Sequence, residues 1–197
     1  VSKNNNFLTD SELIDLNIKD QVLFISDESH KIKIEDGIKV SVNLSKSDSI
    51  SCYVAKKNSP KVCFSKVNYH EISEYWIPIP SKENSIIIEK DKFYILRSKE
   101  KVRIPSYLAG EMVPYDTGIG DFRAHYAGFF DPGFGDPNGT YAVLEVKTNE
   151  LPFLLDDGQT IARIKYEKLN KKSNIVYGSN IKSNYQDQGL KLSKHFK

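Results

Sequence analysis

Hydrophobic residues in this chain recur mostly at every second position, the period of a strand that turns one face to a core. Ile38, Val40, Val42 and Leu44 alternate with polar partners and predict a strand with one wet face. Shorter runs of the same kind follow at 51–55, 61–65, 86–88, 92–97 and 102–104. The first two flank Lys56-Lys57-Asn58-Ser59-Pro60 and predict a hairpin, and 86–88 with 92–97 predict another strand pair. One helix is expected, because Thr9-Asp10-Ser11-Glu12 is a capping-box pattern ahead of Leu13, Ile14 and Leu16. Residues 1–6 are polar and expected to be mobile. The stretch 69–80, with Trp76 and two prolines, predicts an irregular packed loop or a single helical turn whose aromatics cover one end of the core.

The densest punctuation lies between Arg123 and Val146, where aromatics, glycines and prolines surround two acids, Asp131 and Glu145. It predicts an aromatic strand ending at Phe130, an Asp-Pro-Gly corner, a turn at Asp136-Pro137-Asn138-Gly139 and a strand from Thr140 to Lys147. Further strands are expected at 152–155 and 160–168, around the turn Asp156-Asp157-Gly158. The tail from Tyr177 has too little apolar surface for an element of its own, so it is either disordered or docked. The expected organisation is all-β: a polar segment with a short helix over 1–30, a barrel over 31–176 and a C-terminal tail over 177–197.

Composition narrows the class. A chain of 197 residues with 39% hydrophobic content can bury a core without staples. Lys and Arg number 28 against 26 Asp and Glu, a net charge of +2, which argues against nucleic acid or an anionic membrane as partner. No apolar run approaches the roughly 20 residues needed to cross a bilayer, and the start carries no leader pattern, so the expected compartment is the cytoplasm. Cys52 and Cys63 could face each other across the predicted hairpin, but nothing else suggests export, and no disulfide is expected. The chain opens Val1-Ser2-Lys3 and its one methionine is Met112, which suggests a part of a longer polypeptide.

Several chemistries lack their residues. There is no His-x-Glu with Cys-x-x-Cys to hold a zinc ion, no phosphate-binding P-loop, no dinucleotide fingerprint and no Gly-x-Ser-x-Gly elbow. The histidines, at 30, 70, 125 and 195, have no ligand spacing and read as structural, with His125 the one to watch. Glu145 carries the sharpest hypothesis. Placed inward between Leu144 and Val146, its carboxylate would hold a proton more tightly and could shuttle it near neutral pH. The other reading is an outward glutamate on an edge strand, since Leu144 and Val146 share the opposite face, and spacing does not choose. Asp131, ahead of Pro-Gly, reads on sequence alone more as a cap of its turn through the side chain than as a chemical group.

Four stretches in this order resemble the dCTP deaminase and dUTPase superfamily of trimeric β-barrel nucleotide enzymes: Phe130-Asp131-Pro132-Gly133-Phe134, Val143-Leu144-Glu145-Val146, Asp157-Gly158-Gln159 and Tyr185-Gln186-Asp187-Gln188-Gly189. Phe93-Tyr94-Ile95-Leu96, 123–135 and 189–197 look like the C-terminal half of double-length bacterial dCTP deaminases. The resemblance implies a distorted β-barrel or jelly roll of the dUTPase type, acting on dCTP or dUTP as a homotrimer or a pseudo-trimer with a related barrel. It makes Glu145 the catalytic residue, which activates a water for attack on C4 of cytosine without metal in the chemical step. Asp131 would lie beneath the deoxyribose, and backbone groups of Ala127, Gly128, Phe129 and Phe130 would contact the base edge. Tyr177, Tyr185 and Gln188 would bring the tail over the triphosphate, with Mg2+ accompanying the phosphates and no zinc.

One departure bears on function. The family grips the triphosphate with a basic residue, two serines and a further arginine just upstream of the aromatic strand, whereas 114–122 here reads PYDTGIGDF, with two acids. The missing residues would have to come from a neighbouring barrel. The lysine that family tails place before the tyrosine is Asn184 here, with Lys182, Lys191 or Lys194 as substitutes. Alternatives are a dUTPase-like pyrophosphatase, in which Asp131 activates the water, and a non-catalytic barrel that binds nucleotide or stabilises an oligomer.

Overall fold

The computed structural model describes residues 6–25, 31–114, 122–125, 128–148, 151–171, 176–178 and 189–197. In chain order these form α1 (Asp10–Asp20), β1 (Leu23–Ile25), β2 (Ile38–Ser41), β3 (Ile50–Ala55), α2 (Ile72–Tyr75), β4 (Trp76–Pro80), β5 (Ser85–Ile88) and β6 (Phe93–Val102). Next come β7 (Leu108–Pro114), β8 (Phe122–His125), β9 (Phe129–Phe130), β10 (Thr140–Thr148), β11 (Phe153–Asp156) and β12 (Thr160–Lys168). The fold is all-β. One sheet runs β4-β3-β6-β10-β8 with β1 also on β6, a second runs β2-β12-β7-β9, and β11 pairs with β5. Every strand pairing between these elements is antiparallel. No described helix is long and apolar enough to cross a membrane.

The two larger sheets pack their apolar faces together, with Val40, Leu96, Leu144, Val146, Ile164 and Tyr166 among the fully enclosed side chains. At Ser98, β6 also touches the chain just past β2, while staying in its own sheet: Ser98 bridges to Val42, and Asn43 N–H donates to Arg97 O at 3.0 Å. Buried Glu100 adds a second tie, its carboxylate accepting from Ser41 N–H at 2.9 Å and from Ser41 Oγ at 2.6 Å. The helix forms as its cap pattern requires, with Glu12 N–H donating to Thr9 Oγ1 and Thr9 N–H to Glu12 Oε2. Asp10 then anchors it to the turn before β2 by accepting from Asp36 N–H and Gly37 N–H.

Several sequence expectations are corrected. Residues 61–65 form a loop, and β3 pairs with β4 and β6, so the first predicted hairpin does not exist. The loop instead takes a side-chain acceptor, Cys63 N–H donating to His70 Nε2 at 2.9 Å. Both cysteines are free, as expected; Cys52 lies in the core, where burial pushes its thiol up to about 12. The strand at 86–88 pairs with β11 rather than with 92–97, and 92–97 and 102–104 largely merge into one long β6. The wet face expected for β2 is covered, since Ser41 and Asn43 are buried and bonded to Glu100 and Asp48. The strands flanking the Asp-Pro-Gly corner are not partners: β9 pairs with β7 and β10 with β8 and β6, so the corner carries the chain from one sheet to the other. Residues 1–5 lie outside the described residues.

Candidate functional site

Along β10 the even-numbered residues from Thr140 to Thr148 are buried, so Val143, Glu145 and Lys147 occupy the opposite face. That face is not open solvent. Glu145 sits on a central strand, in register with Ile95 of β6 on one side and His125 of β8 on the other. The outward reading of this glutamate holds for its face, opposite Leu144 and Val146, but not for its setting, since it lies on no edge and is only partly exposed. It opens onto a cleft of about 450 Å³.

Three parts of the chain build that cleft. The floor is the outer face of β6 and β10, with Phe93, Ile95, Val143 and Glu145. One wall comes from β9 and the corner, where Phe130 packs on Phe134 at a centroid distance of 4.8 Å and Phe134 on Tyr177 at 5.7 Å. Asp131 belongs to this wall. Its carbonyl, rather than its side chain, closes the turn by accepting from Phe134 N–H at 3.0 Å, which leaves the carboxylate to the cleft. The third part is Trp76 on β4 with the tail residues Lys191, Leu192, Ser193 and Phe196.

The fold thus gathers Glu145, Phe129, Phe130, Asp131 and Tyr177 around one cavity, although they come from three separate stretches of sequence. Gly128 stands behind them, its carbonyl accepting from Met112 N–H at 3.0 Å. Ala127, Tyr185 and Gln188 lie outside the described residues, as does the 115–121 portion of the region that departs from the phosphate motif. Among the described residues, neither Glu145 nor Asp131 has a hydrogen-bonding partner for its carboxylate. Both acids face a largely apolar cavity, an arrangement suited to proton transfer and to binding hydroxyl or amino groups.

Sequence reasoning missed Trp76, Phe93 and Phe196 as cleft residues. The signal for Phe196 was weak, an isolated aromatic in a polar tail. Its position follows from a docking it shares with its neighbours: His70 N–H donates to His195 O, Lys197 N–H donates to His70 O, and the Phe196 ring lies 5.2 Å from that of Tyr75. Two histidines brace this end of the molecule. Cys63 N–H can only donate, so His70 Nε2 is the acceptor and, in the neutral ring, Nδ1–H faces Tyr75 Oη at 2.9 Å. His195 donates from Nδ1 to Lys66 O at 2.8 Å.

Residues 9–196 match the family described as 2'-deoxycytidine 5'-triphosphate deaminase (DCD), C-terminal domain. Among solved structures, a 2'-deoxycytidine 5'-triphosphate deaminase from Agrobacterium tumefaciens superposes with a TM-score of 0.75 at 35% sequence identity, over 86% of this chain. The match spans 50% of that protein's chain, so the chain corresponds to about half of its length. No curated protein sequence matches.

Proposed function

Because the chain belongs to the dCTP deaminase C-terminal-domain family, whose match runs nearly end to end, we propose that its cleft deaminates the cytosine of dCTP to give dUTP and ammonia. The observation that carries this reading is the convergence of Glu145 and Asp131 on one aromatic-walled cavity. Glu145 accepts a proton from a water molecule as the water oxygen adds to C4. The C4–N3 π pair moves to N3 as the water adds. The same carboxylate then returns the proton to the exocyclic nitrogen, and the C4–N bond breaks as ammonia leaves and the C4–N3 π bond re-forms. The proton of the added hydroxyl passes to N3 to give the uracil carbonyl, so one group serves as base and then as acid. Asp131 accepts a hydrogen bond from the 3'-hydroxyl of the sugar. Phe129, largely exposed at the rim, and Phe130 border the base, with the backbone from Ala127 to Phe130 along its edge.

Mg2+ would arrive on the phosphates. Among the described residues there is no cluster of three or more acids, histidines or cysteines to cage a metal, so the cation would be held mainly by its nucleotide. Tyr177, Tyr185 and Gln188 close the tail over the triphosphate. A neighbouring related barrel, in a trimer or pseudo-trimer, supplies the phosphate-binding residues that 114–122 lacks. That same departure favours one other reading, a non-catalytic barrel that binds nucleotide within a larger assembly.

Glu145→Gln decides between them. In the longest native polypeptide that carries this chain, the substitution should lower ammonia release from dCTP at least about 1,000-fold while the thermal melt stays in place, as expected when the sole proton-transfer group is lost. Unchanged turnover would remove Glu145 from the mechanism. Release of pyrophosphate in place of ammonia would point to the hydrolase chemistry of the wider superfamily.

A further inference from the structure

One polar group in the cleft has no part in the reaction above. Trp76 opens β4, and its register partner on β3 is Ala55. The β3–β6 register places Ala55 beside Phe93, so the indole reaches over a small side chain to meet that ring at 6.2 Å. Phe196 of the tail packs on the indole at 6.1 Å. Enclosed in this way, the indole Nε1–H is shut off from solvent and has no hydrogen-bond partner among the described residues. An indole nitrogen can only donate, and a buried donor with no acceptor gives up its hydration for nothing in return. Phe93 and Phe196, the rings packed on it, carry no oxygen to accept from it.

The position of this donor says what it would meet. Trp76 stands three strands from Glu145, and neighbouring strands lie about 4.8 Å apart, so the β4 backbone is roughly 14 Å from β10. With the base at Glu145 and the sugar at Asp131, that separation exceeds the width of a pyrimidine ring, so the indole lies beyond the base and the phosphates are the part of the nucleotide left to meet it. Ser193, a polar side chain of the same wall, is likewise able to donate, while the carboxylates Asp131 and Glu145 belong to the other two parts of the cleft.

We propose that Trp76 is a specificity-determining residue whose Nε1–H donates to a phosphate oxygen of the bound nucleotide as the Phe196 ring gives way. The proposal rests on the nucleotide reading of the cleft, and it supplies from this chain one phosphate contact that the sequence of 114–122 does not provide.

The test is calorimetric titration of the Glu145→Gln form of the longest native polypeptide that carries this chain, which removes turnover, with and without Trp76→Phe, using dCTP and deoxycytidine as ligands. Trp76→Phe should raise the Kd for dCTP about five- to tenfold and leave that for deoxycytidine within twofold. Trp76 is the one tryptophan of this sequence, so the fluorescence that the Glu145→Gln protein loses on Trp76→Phe is a second reading. Saturating dCTP should shift the emission, and deoxycytidine should not. An unchanged Kd for dCTP, an equal loss for both ligands, or an emission blind to dCTP overturns the assignment of Trp76 and leaves the deaminase reading standing. Absence of any cytidine nucleotide binding, with or without Glu145, overturns both.

Discussion

Gly133 couples the Asp-Pro-Gly corner to the root of the tail. Its φ of +93° is one that other residues rarely adopt, and a Cβ built there would lie 2.3 Å from Val176 Cγ1 and 2.8 Å from Tyr177 O. Tyr177 N–H meanwhile donates to Pro132 O at 2.9 Å, so corner and tail root are held in contact by a backbone bond. Gly133→Ala therefore cannot relax by moving one side chain. It should destabilise by about 2–4 kcal/mol and displace Tyr177 from the cleft wall, read as a lower Tm together with a raised KM for dCTP. A Tm unchanged within a degree would show that the corner accommodates the methyl group. The glycine and the acids of this stretch were legible in the sequence, because Asp-Pro-Gly allows few backbone paths. The setting of Glu145 was not. Alternation separates two faces of a strand, but it cannot say that the second face is roofed by β9 and by a tail about 50 residues downstream in sequence.

At the scale of elements, the phase of β6 against β10 depends on an irregularity in β6. Tyr141 pairs with Lys101 but Val143 pairs with Arg97, so β6 carries two extra residues across that interval. An even insertion preserves the alternation of β6, which keeps Phe93 and Ile95 on the cleft face beside Val143 and Glu145; an odd one would have turned them into the core. Ser98 makes the irregularity tolerable, because its Oγ accepts from Ala142 N–H at 2.9 Å and donates to Glu100 O at 2.6 Å, both in the buried interior. Ser98→Ala strips the buried Ala142 N–H of its acceptor, and the expected cost is about 2–3 kcal/mol in urea unfolding, with faster hydrogen exchange at Ala142. A loss below 0.5 kcal/mol would mean that another acceptor steps in. The same residues explain why β6 was read as two strands. Ser98 and Glu100 are polar yet point inward, so the alternation breaks where the strand does not. Elements with regular alternation, such as β10 and β12, were found within a residue or two. Their partners were not, because β3 with β4 and β5 with β11 are joined across intervening loops or strands, and pairing at that distance leaves no local signature.

Over the whole molecule, the C-terminus acts as a clasp on the loop before α2. Asn68 N–H donates to Lys194 O, Tyr69 and His70 N–H to His195 O, Lys197 N–H to His70 O, and His195 Nδ1–H to Lys66 O. These five hydrogen bonds contribute about 1 kcal/mol each, and burying much of Phe196 adds about 2 kcal/mol. Ordering four residues costs about 1.5 kcal/mol apiece, so the balance in favour of docking is only about 1 kcal/mol. The salt bridge from Lys197 to Glu71 is exposed and changes that balance little. A clasp so nearly balanced contributes little to folding, and its weight falls on the cleft, where it sets Leu192, Ser193 and Phe196 against Trp76. Deleting residues 194–197 should accordingly lower Tm by only about 2–4 °C, as a loss near 1 kcal/mol does in a protein of this size. The KM for dCTP should rise several-fold, because a cleft wall has lost its anchor, while kcat changes less, because Glu145 and Asp131 stand on elements that the tail does not hold. Melting curves and steady-state kinetics on the truncated protein separate the two effects. A fall in Tm beyond about 8 °C would identify the tail as part of the core, and an unchanged KM would show that the wall stands without its clasp.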